Sequence, residues 1–169
     1  LFITGVGTVG NKLISQINDQ SNYLKNNMNI NVRVIGLSNS SNMYFDTDGI
    51  DLLKWRLKLT NGVKSSFIEF YDKVIELNLR NSIFLDITAN NDICNYYKKY
   101  LEKNIAVIAC NKIACSSEIQ FYRDLKKTSV KFNSPFLFET NVGAGLPILN
   151  TLNNLIFSGD EIISIEAVL

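Results

Sequence analysis

The fold is decided by the first ten residues, Leu1-Phe2-Ile3-Thr4-Gly5-Val6-Gly7-Thr8-Val9-Gly10. A short apolar run leads into Gly-x-Gly-x-x-Gly, and a helical pattern follows. Gly5 permits a tight strand-to-helix turn, Gly7 lets the backbone approach a pyrophosphate, and Gly10 lets the helix pack closely on the sheet. The free N–H groups that begin the helix then face the phosphates. The pattern predicts a dinucleotide site; the alternative is a glycine-rich turn without a ligand.

The composition narrows the class of protein. The chain has 169 residues, of which 46% are hydrophobic and 20% charged, so it fits one domain or one domain and part of a second. A net charge of +1 without a Lys/Arg block argues against a nucleic-acid surface. No apolar run approaches the ~20 residues of a membrane span. We therefore expect no nucleic-acid or membrane partner and, by default, a cytoplasmic location.

The chain contains no histidine, which excludes a Ser-His-Asp triad, a Cys-His pair and a His-Glu-x-x-His zinc site within it. The three cysteines, Cys94, Cys110 and Cys115, lack the Cys-x-x-Cys spacing of a zinc site. We interpret them as reduced and mostly buried.

Strand-like and helix-like segments alternate along the chain. The predicted strands are 1–4, 32–37, 83–88, 105–109 and 136–138. The predicted helices are 9–24, 51–58, 67–77, 92–101 and 116–127, with another beginning near Pro147. The apolar stripe of the first helix comprises Val9, Leu13, Ile14, Ile17 and Leu24. This order predicts an α/β fold, a doubly wound parallel sheet of the Rossmann type.

Three loops are expected to meet at one edge of this sheet. Ligands of open α/β sheets bind outside the carboxyl ends of the strands, where the glycine turn, Thr88 and Lys112 should converge. A lone loop lysine is more often a solvated surface charge. The chain ends inside a further strand-like run, 162–169, so we expect it to be a piece of a longer protein.

The second predicted strand ends without the acidic residue that usually binds the ribose of NAD. Ser38-Asn39-Ser40-Ser41 stands there, with no Arg or Lys among them. The absence of a carboxylate removes the repulsion against a 2′-phosphate, which favours NADP over NAD. Asn39 in this loop is counted among the candidate cofactor residues.

A carboxylate and a tight turn follow the last predicted strand, in Glu139-Thr140-Asn141-Val142-Gly143-Ala144-Gly145-Leu146-Pro147. Two glycines and a proline indicate a turn with exposed carbonyl groups before a helix. The simpler interpretation is a turn that only caps that helix.

Together, Gly5–Gly10, Asn111-Lys112 and Glu139–Ile148 resemble homoserine dehydrogenase, and in particular the dehydrogenase part of bifunctional aspartokinase–homoserine dehydrogenases. The resemblance runs essentially from Leu1 to Leu169. It implies a pyrophosphate loop formed by Gly5, Val6, Gly7, Thr8, Val9 and Gly10, a place beside the nicotinamide for Thr88, and a catalytic lysine, Lys112, which also contacts the cofactor. It further implies a monovalent-cation site, usually for Na⁺, formed by Glu139 and the carbonyls of Val142, Ala144 and Leu146, where oxygen ligands suit a hard cation.

The implied activity is the NAD(P)H-dependent interconversion of L-aspartate 4-semialdehyde and L-homoserine, a step toward threonine and methionine. The implied domains are an NAD(P)-binding unit over residues 1–145 and the start of a substrate domain over 146–169, within a homo-oligomer. The substrate-binding carboxylates and a second lysine are expected after Leu169, so the chain alone should not turn over.

The chain departs from the family pattern at three places. Ala109-Cys110 replaces a frequent Thr-Pro, Ile113 a frequent second lysine, and Ser41 a frequent basic residue. Two alternatives stay open: a nucleotide-binding sensor or structural module without catalysis, and a dehydrogenase of another small aldehyde or amino acid.

Overall fold

The computed structural model describes residues 1–167, and a seven-stranded sheet forms its centre. The strands are β1 (Phe2–Thr4), β2 (Gly36–Ser38), β3 (Asn42–Phe45), β4 (Val63–Lys64), β5 (Ile83–Asp86), β6 (Ala106–Ala109) and β7 (Phe136–Leu137). Their order is β4-β3-β2-β1-β5-β6-β7. All neighbours from β2 to β7 pair in parallel, which confirms the Rossmann-type prediction. The antiparallel strands β3 and β4, which extend one edge, were not predicted.

Residues 1–167 also form seven α-helices and two 3-10 turns, and all but the last helix and the second 3-10 turn lie between strands. The helices are α1 (Thr8–Met28), α2 (Trp55–Thr60), α3 (Phe67–Leu77), α4 (Tyr97–Leu101), α5 (Ile113–Ser116), α6 (Ile119–Lys131) and α7 (Ile148–Phe157), and the 3-10 turns are Ile93–Tyr96 and Glu139–Asn141. The helix predicted over 92–101 is thus a 3-10 turn followed by α4, and α5 was not predicted. None of the helices in residues 1–167 is long and apolar enough to cross a membrane.

Alternate strand residues face two separate helical layers, as the two-residue period of a strand requires. Phe2 and Phe84 belong to the core beneath α3, α4 and α6, where the rings of Phe84 and Tyr100 stack at 4.2 Å. Ile3 lies on the opposite face, in the core that includes Ile14 of α1. The result is a sheet covered by helices on both faces.

The helix α1 confirms the predicted apolar stripe except at its first member. Val9 is 60% exposed, whereas Gly10 and Ile14 are buried against the sheet. Because the first turn of the helix stands above the sheet edge, a side chain at Val9 has no layer to pack on. The helix ends at Met28, and its C-cap Asn29 adopts the left-handed conformation with φ of 56°.

The last part of the chain packs little against the rest. The helix α7 has no buried residue, and residues 160–167 form neither helix nor strand. The strand predicted over 162–169 is therefore wrong as far as residue 167, because no neighbouring strand in the described chain pairs with it. Residues 168 and 169 lie outside the described residues.

Candidate cofactor site

A cleft of about 450 Å³ opens at the carboxyl edge of the sheet, where β1 lies between β2 and β5. It is lined by Thr4, Gly5, Val6, Gly7, Asn39, Ser40, Phe67, Thr88, Ala89, Asn90 and Ile93. Successive connections leave β1 in opposite directions here, which is the switch point at which open α/β sheets bind ligands. The structure thus brings together five of the predicted cofactor residues: Gly5, Val6, Gly7, Asn39 and Thr88. Clefts of about 490 and 500 Å³ at the opposite edge contain none of the predicted site residues.

The three glycines of the turn have three different environments. Gly5 has φ of +93°, and a Cβ there would lie 2.5 Å from the carbonyl oxygen of Ile87. A Cβ on Gly10 would overlap the carbonyl group of Gly5. Gly7 has nothing within 4 Å of its Cβ position, so the space beside it is open to a ligand. These environments match the roles predicted for a tight turn, a helix packed closely on it, and an approach to phosphate.

The start of α1 presents unpaired donors to the cleft edge. The N–H groups of Thr8, Val9 and Gly10 precede the first intrahelical hydrogen bond, from Asn11 to the carbonyl of Gly7 at 2.8 Å. No side chain caps this end, and the first turn carries no acidic residue. Backbone donors and the helix dipole therefore favour an anion such as a pyrophosphate here.

The loop after β2 is ordered by Asn39 itself. Its side-chain oxygen accepts hydrogen bonds from the N–H groups of Ser41 at 2.8 Å and Asn42 at 2.7 Å. The side chain of Asn42 in turn donates to the carbonyl of Thr60 at 2.9 Å, which fixes the end of α2 beside this loop.

A cation that sequence reasoning missed lies beside the first turns of α1. The guanidinium of Arg56 donates to the side-chain oxygen of Asn11, in the first turns of α1, at 2.7 Å, and it lies over the ring of Trp55 at 4.7 Å. Arg56 follows Ser41 by fifteen positions. No local sequence signal indicates it, because its position depends on how α2 packs beside α1.

A buried carboxylate, which sequence reasoning also missed, joins the loops after β5 and β6. Asp86 is fully buried, and its oxygens accept hydrogen bonds from the N–H of Thr88 at 2.8 Å, the hydroxyl of Tyr97 at 2.6 Å and the carboxamide of Asn111 at 3.0 Å. Burial, and then the negative charge of Asp86, raises the pKa of Tyr97 well above its ordinary value. Tyr97 therefore remains a hydroxyl donor at neutral pH.

Lys112 is exposed at the same edge, immediately before α5. Its neighbour Asn111 is 2% exposed and donates to the carbonyl of Asn90 at 2.9 Å, which ties the lysine loop to the loop that carries Thr88. The structure thus brings Lys112 to the predicted edge, although it does not line the 450 Å³ cleft.

The three cysteines are free, and none of them pairs with another. Cys94 is buried and Cys110 and Cys115 are half-buried. Burial is the main cause that raises the pKa of both Cys94 and Cys115, which keeps these thiols protonated and unreactive.

The proposed cation turn contains two buried oxygens without partners. One oxygen of Glu139 accepts from the N–H of Asn150, in the first turn of α7, at 2.9 Å. The other Glu139 oxygen and the side-chain oxygen of Asn141 are buried and accept no hydrogen bond. Buried oxygen acceptors of this kind suit a hard cation. A cluster of three His, Cys, Asp or Glu side chains that could hold a metal does not occur in residues 1–167, so a cation here would depend on main-chain carbonyls as well.

The backbone of this turn bends sharply where the other ligands were predicted. Gly143 and Ala144 both have positive φ, of 70° and 51°. The carbonyl of Leu146 accepts from the N–H of Ile148 at 2.9 Å. Val142 and Leu146 are exposed, by 41% and 63%, so solvent reaches these two residues of the turn in the chain as described.

A comparison with protein families decides the identity of this domain. The family described as "Homoserine dehydrogenase, NAD binding domain" matches residues 5–139. The chain belongs to this family. The matched range begins at Gly5 of the glycine turn and ends at Glu139.

Curated homoserine dehydrogenases resemble the chain over nearly its whole length. The bifunctional aspartokinase/homoserine dehydrogenase of Haemophilus influenzae is 35% identical over 170 aligned positions, which cover 100% of this chain and 21% of that protein. A chloroplastic bifunctional enzyme of Arabidopsis thaliana is 36% identical over 98% of this chain and 18% of its own length. The homoserine dehydrogenase of Schizosaccharomyces pombe is 32% identical, over 98% of this chain and 45% of its length. The chain thus spans about a fifth of the bifunctional relatives.

Solved homoserine dehydrogenase structures share the fold. A hyperthermophilic archaeal homoserine dehydrogenase in complex with NADPH is 27% identical with a TM-score of 0.72, over 89% of this chain and 46% of that one. The Thermoplasma acidophilum enzyme, at 17% identity and a TM-score of 0.71, covers 93% of this chain and 48% of its own. The latter likeness concerns the fold alone.

Proposed function

We propose that the chain is the NAD(P)-binding part of an enzyme that interconverts L-aspartate 4-semialdehyde and L-homoserine, on the way to threonine and methionine. One observation carries the proposal: the open glycine turn and the unpaired N–H groups of α1 stand at the switch point of a homoserine dehydrogenase NAD-binding domain. The relatives named above include bifunctional aspartokinase/homoserine dehydrogenases. We propose that this protein is bifunctional in the same way.

Different residues of the chain bind different parts of the cofactor. The N–H groups of Thr8, Val9 and Gly10 bind the pyrophosphate, and Asn39 lies on the adenosine side, at the end of β2. Thr88, at the end of β5 on the other side of β1, is left for the nicotinamide end. The bound cofactor supplies the hydride.

Lys112 is the catalytic residue of the proposal. As hydride adds to the aldehyde carbon, the carbonyl electron pair moves to the oxygen, which becomes an alkoxide and then takes a proton to give the alcohol. An ammonium group beside that oxygen stabilises the developing negative charge and can donate the proton. The exposed position of Lys112 before α5, at the edge that carries Thr88, supports this role.

We infer a preference for NADP over NAD. No acidic residue occurs in Ser38-Asn39-Ser40-Ser41, so nothing there repels a 2′-phosphate. Arg56, hydrogen-bonded to Asn11 in the first turns of α1, is the cation that we propose for the 2′-phosphate. Arginine suits a phosphate because its planar group offers several donors.

We also propose that Glu139, with the carbonyl groups of Val142, Ala144 and Leu146, binds Na⁺ or another monovalent cation. The unpartnered oxygens of Glu139 and Asn141 support this, because a buried acceptor without a donor is costly unless a ligand satisfies it. We further propose that the protein forms a homo-oligomer and that residues 146–169 begin its substrate domain. We propose a cytoplasmic location, whereas the plant relatives are described as chloroplastic.

The test has two steps. NADPH and NADH are first titrated into the 169-residue chain and followed by nicotinamide fluorescence. Oxidation of NADPH that depends on aspartate semialdehyde is then measured for the chain and for its complete gene product. Binding without turnover of this or any related aldehyde in the complete product would favour a nucleotide sensor. Absence of NAD(P)H binding would contradict the proposed function.

A further inference from the structure

We propose that Asp86 and Asn111 form a positioning pair, a buried hydrogen-bonded unit that fixes the loops after β5 and β6 for the nicotinamide end of the cofactor. The proposal rests on the proposed function, because that function assigns NAD(P)H to the cleft. Neither residue was predicted as a site residue from the sequence. Both are nearly inaccessible, with exposed fractions of 0% for Asp86 and 2% for Asn111.

Asp86 gathers donors from three directions. One oxygen accepts from the N–H of Thr88 at 2.8 Å, in the loop after β5. The other accepts from Tyr97, at 2.6 Å from the core side, and from Asn111, at 3.0 Å from the loop after β6. Two of its three donors therefore belong to loops at the cofactor edge.

Asn111 extends these contacts across the edge. Its carboxamide nitrogen also donates to the carbonyl of Asn90 at 2.9 Å, and its side-chain oxygen accepts from the N–H of Ile113 at 3.1 Å. Its own carbonyl accepts from the side chain of Asn141 at 3.3 Å. The side chain of Asn111 thus connects the Thr88 loop to the start of α5, and its main-chain carbonyl adds the turn that follows β7.

Asp86 has no cationic partner among the described residues, so its charge depends on these hydrogen bonds alone. Among residues 1–167, the side-chain ion pairs are Lys54–Asp51 and Lys73–Glu76, and neither includes Asp86. A buried carboxylate is costly unless donors satisfy it, and no water reaches a fully buried side chain to replace a lost donor. Movement of either loop would therefore leave Asp86 underpaired, which holds both loops in place.

The topology assigns this pair to the nicotinamide half of the cleft. In Rossmann-type sheets the adenosine ribose lies at the end of the second strand. Here β2 lies on one side of β1, and β5 and β6 lie on the other. A dinucleotide with its pyrophosphate at the Gly5–Gly10 turn consequently extends its nicotinamide toward the loops that Asp86 and Asn111 hold.

The experiment compares two ligands that differ only in the nicotinamide. NADPH and 2′-phospho-ADP-ribose are titrated by calorimetry into the wild-type chain and the Asn111→Ala variant. We expect the Kd of NADPH to rise about tenfold, the loss typical of one or two hydrogen bonds, and that of 2′-phospho-ADP-ribose to change less than about twofold. The fluorescence of bound NADPH should also fall, since the ring is held less firmly.

Two further variants exclude a general loss of stability. Val74→Ala removes buried volume from α3, where Val74 is 1% exposed and lines the cleft at the opposite edge of the sheet, and it should leave both affinities within about twofold. Asp86→Asn keeps the side-chain shape and should reproduce the NADPH-selective loss, and it decides the matter if Asn111→Ala does not fold. Circular dichroism establishes folding before each titration.

The outcomes distinguish failure of the positioning role from failure of the proposed function. If both ligands weaken equally in the folded Asn111 and Asp86 variants, or neither weakens, the positioning role is wrong while cofactor binding stands. If the wild-type chain binds neither NADPH nor 2′-phospho-ADP-ribose, both the proposed function and the positioning role are wrong.

Discussion

Gly10 packs directly against the carbonyl group of Gly5, so closely that a Cβ atom on Gly10 would overlap the Gly5 oxygen. The strand-to-helix turn and the first turn of α1 are therefore in backbone contact. Gly7, between them, has nothing within 4 Å of its Cβ position. The two glycines of this motif thus have different roles: Gly10 is required by the fold, and Gly7 leaves room for a ligand.

Replacing Gly10 by alanine should destabilise the domain. The added methyl meets backbone atoms that cannot rotate away, and forced shifts of this kind cost about 1–3 kcal/mol. Urea denaturation of the wild-type chain and of Gly10→Ala measures the difference. Gly145→Ala is the matched control, because a Cβ at Gly145 also meets nothing within 4 Å. Equal midpoints for Gly10→Ala and the wild type would show that the contact is not as close as described.

Gly7→Val, in contrast, should abolish cofactor binding and leave the stability nearly unchanged. The open surroundings of Gly7 leave the free energy of unfolding within about 1 kcal/mol of the wild type, a change typical of exposed sites. The branched side chain would occupy the space assigned to the pyrophosphate, so NADPH binding should be lost. Fluorescence titration of the two folded proteins measures this, and equal affinities would remove the glycine turn from the site.

The repeating elements of the fold were predictable because the signals that specify them are local. The glycine turn, the apolar stripe of α1 and the buried strands β5 and β6 each follow from periodicity or spacing within a few residues. The antiparallel strands β3 and β4 were missed because strands of four and two residues carry almost no pattern.

Asparagines account for most of the non-glycine residues with positive φ in residues 1–167. Several of them end or break elements with positive φ, namely Asn29, Asn78, Asn81, Asn104 and Asn133. Asparagine is one of the few residues besides glycine that adopts this conformation readily. Within this chain it therefore takes the positions where a helix C-terminus more often has glycine.

The site was predictable only in part, for a physical reason. Gly5, Thr88 and Lys112 follow strand ends, and parallel strands place their carboxyl ends together. Asp86 and Arg56 depend on contacts with Asn111 and Asn11, over sequence separations of 25 and 45 residues. Such contacts arise from packing of the sheet and the helices, which a single sequence does not display.

Tyr97 should make the domain sensitive to alkaline pH. Burial and the charge of Asp86 raise its pKa above the ordinary value of 10.0. Above pH 10 the unfolded chain loses this proton while the folded chain keeps it, so the free energy of unfolding falls by up to about 1.4 kcal/mol per pH unit. Below pH 9 Tyr97 contributes no pH dependence.

Urea denaturation between pH 8 and pH 11 measures this effect. Tyr97→Phe should be less stable than the wild type at pH 8, by about 1.5–3 kcal/mol for the hydrogen bond lost to a buried carboxylate, and should lose less stability above pH 10. Tyr23→Phe, at a position 56% exposed, is the control and should follow the wild-type curve. Parallel curves for Tyr97→Phe and the wild type would contradict the prediction.

Glu139 allows the charge of the proposed cation site to be separated from helix capping. Its carboxylate caps α7 through the N–H of Asn150 and has one buried oxygen left without a partner. Glu139→Gln should keep the cap but lose the charge, whereas Glu139→Ala should lose both. Melting temperatures are compared in sodium, potassium and choline chloride at matched ionic strength.

The wild type should melt at a higher temperature with Na⁺ or K⁺ than with choline, and both variants should lose this difference. Only Glu139→Ala should also melt lower in choline, by the ~1 kcal/mol typical of a lost cap. A wild type that is indifferent to the cation would leave Glu139 as a cap of α7 and nothing more.

Lys112 should be needed for turnover more than for cofactor binding. Its side chain is exposed just before α5, and its backbone is held by the buried Asn111, so substitution should leave the fold intact. Lys112→Ala removes the ammonium group that stabilises the alkoxide and supplies the proton. In the complete gene product, kcat for aspartate-semialdehyde-dependent NADPH oxidation should fall by roughly two or more orders of magnitude. The Kd of NADPH should change much less, because the glycine turn supplies most of that binding.

Lys112→Arg divides the two contributions of the lysine. It keeps the positive charge but is a far weaker acid, so it should recover part of kcat if charge stabilisation dominates and little if proton transfer dominates. Lys103→Ala, on the exposed turn after α4, is the control for loss of a surface charge and should keep the wild-type kcat. A Lys112→Ala enzyme with unimpaired kcat would make Lys112 an ordinary solvated charge, and the proton donor would then have to be sought outside this loop.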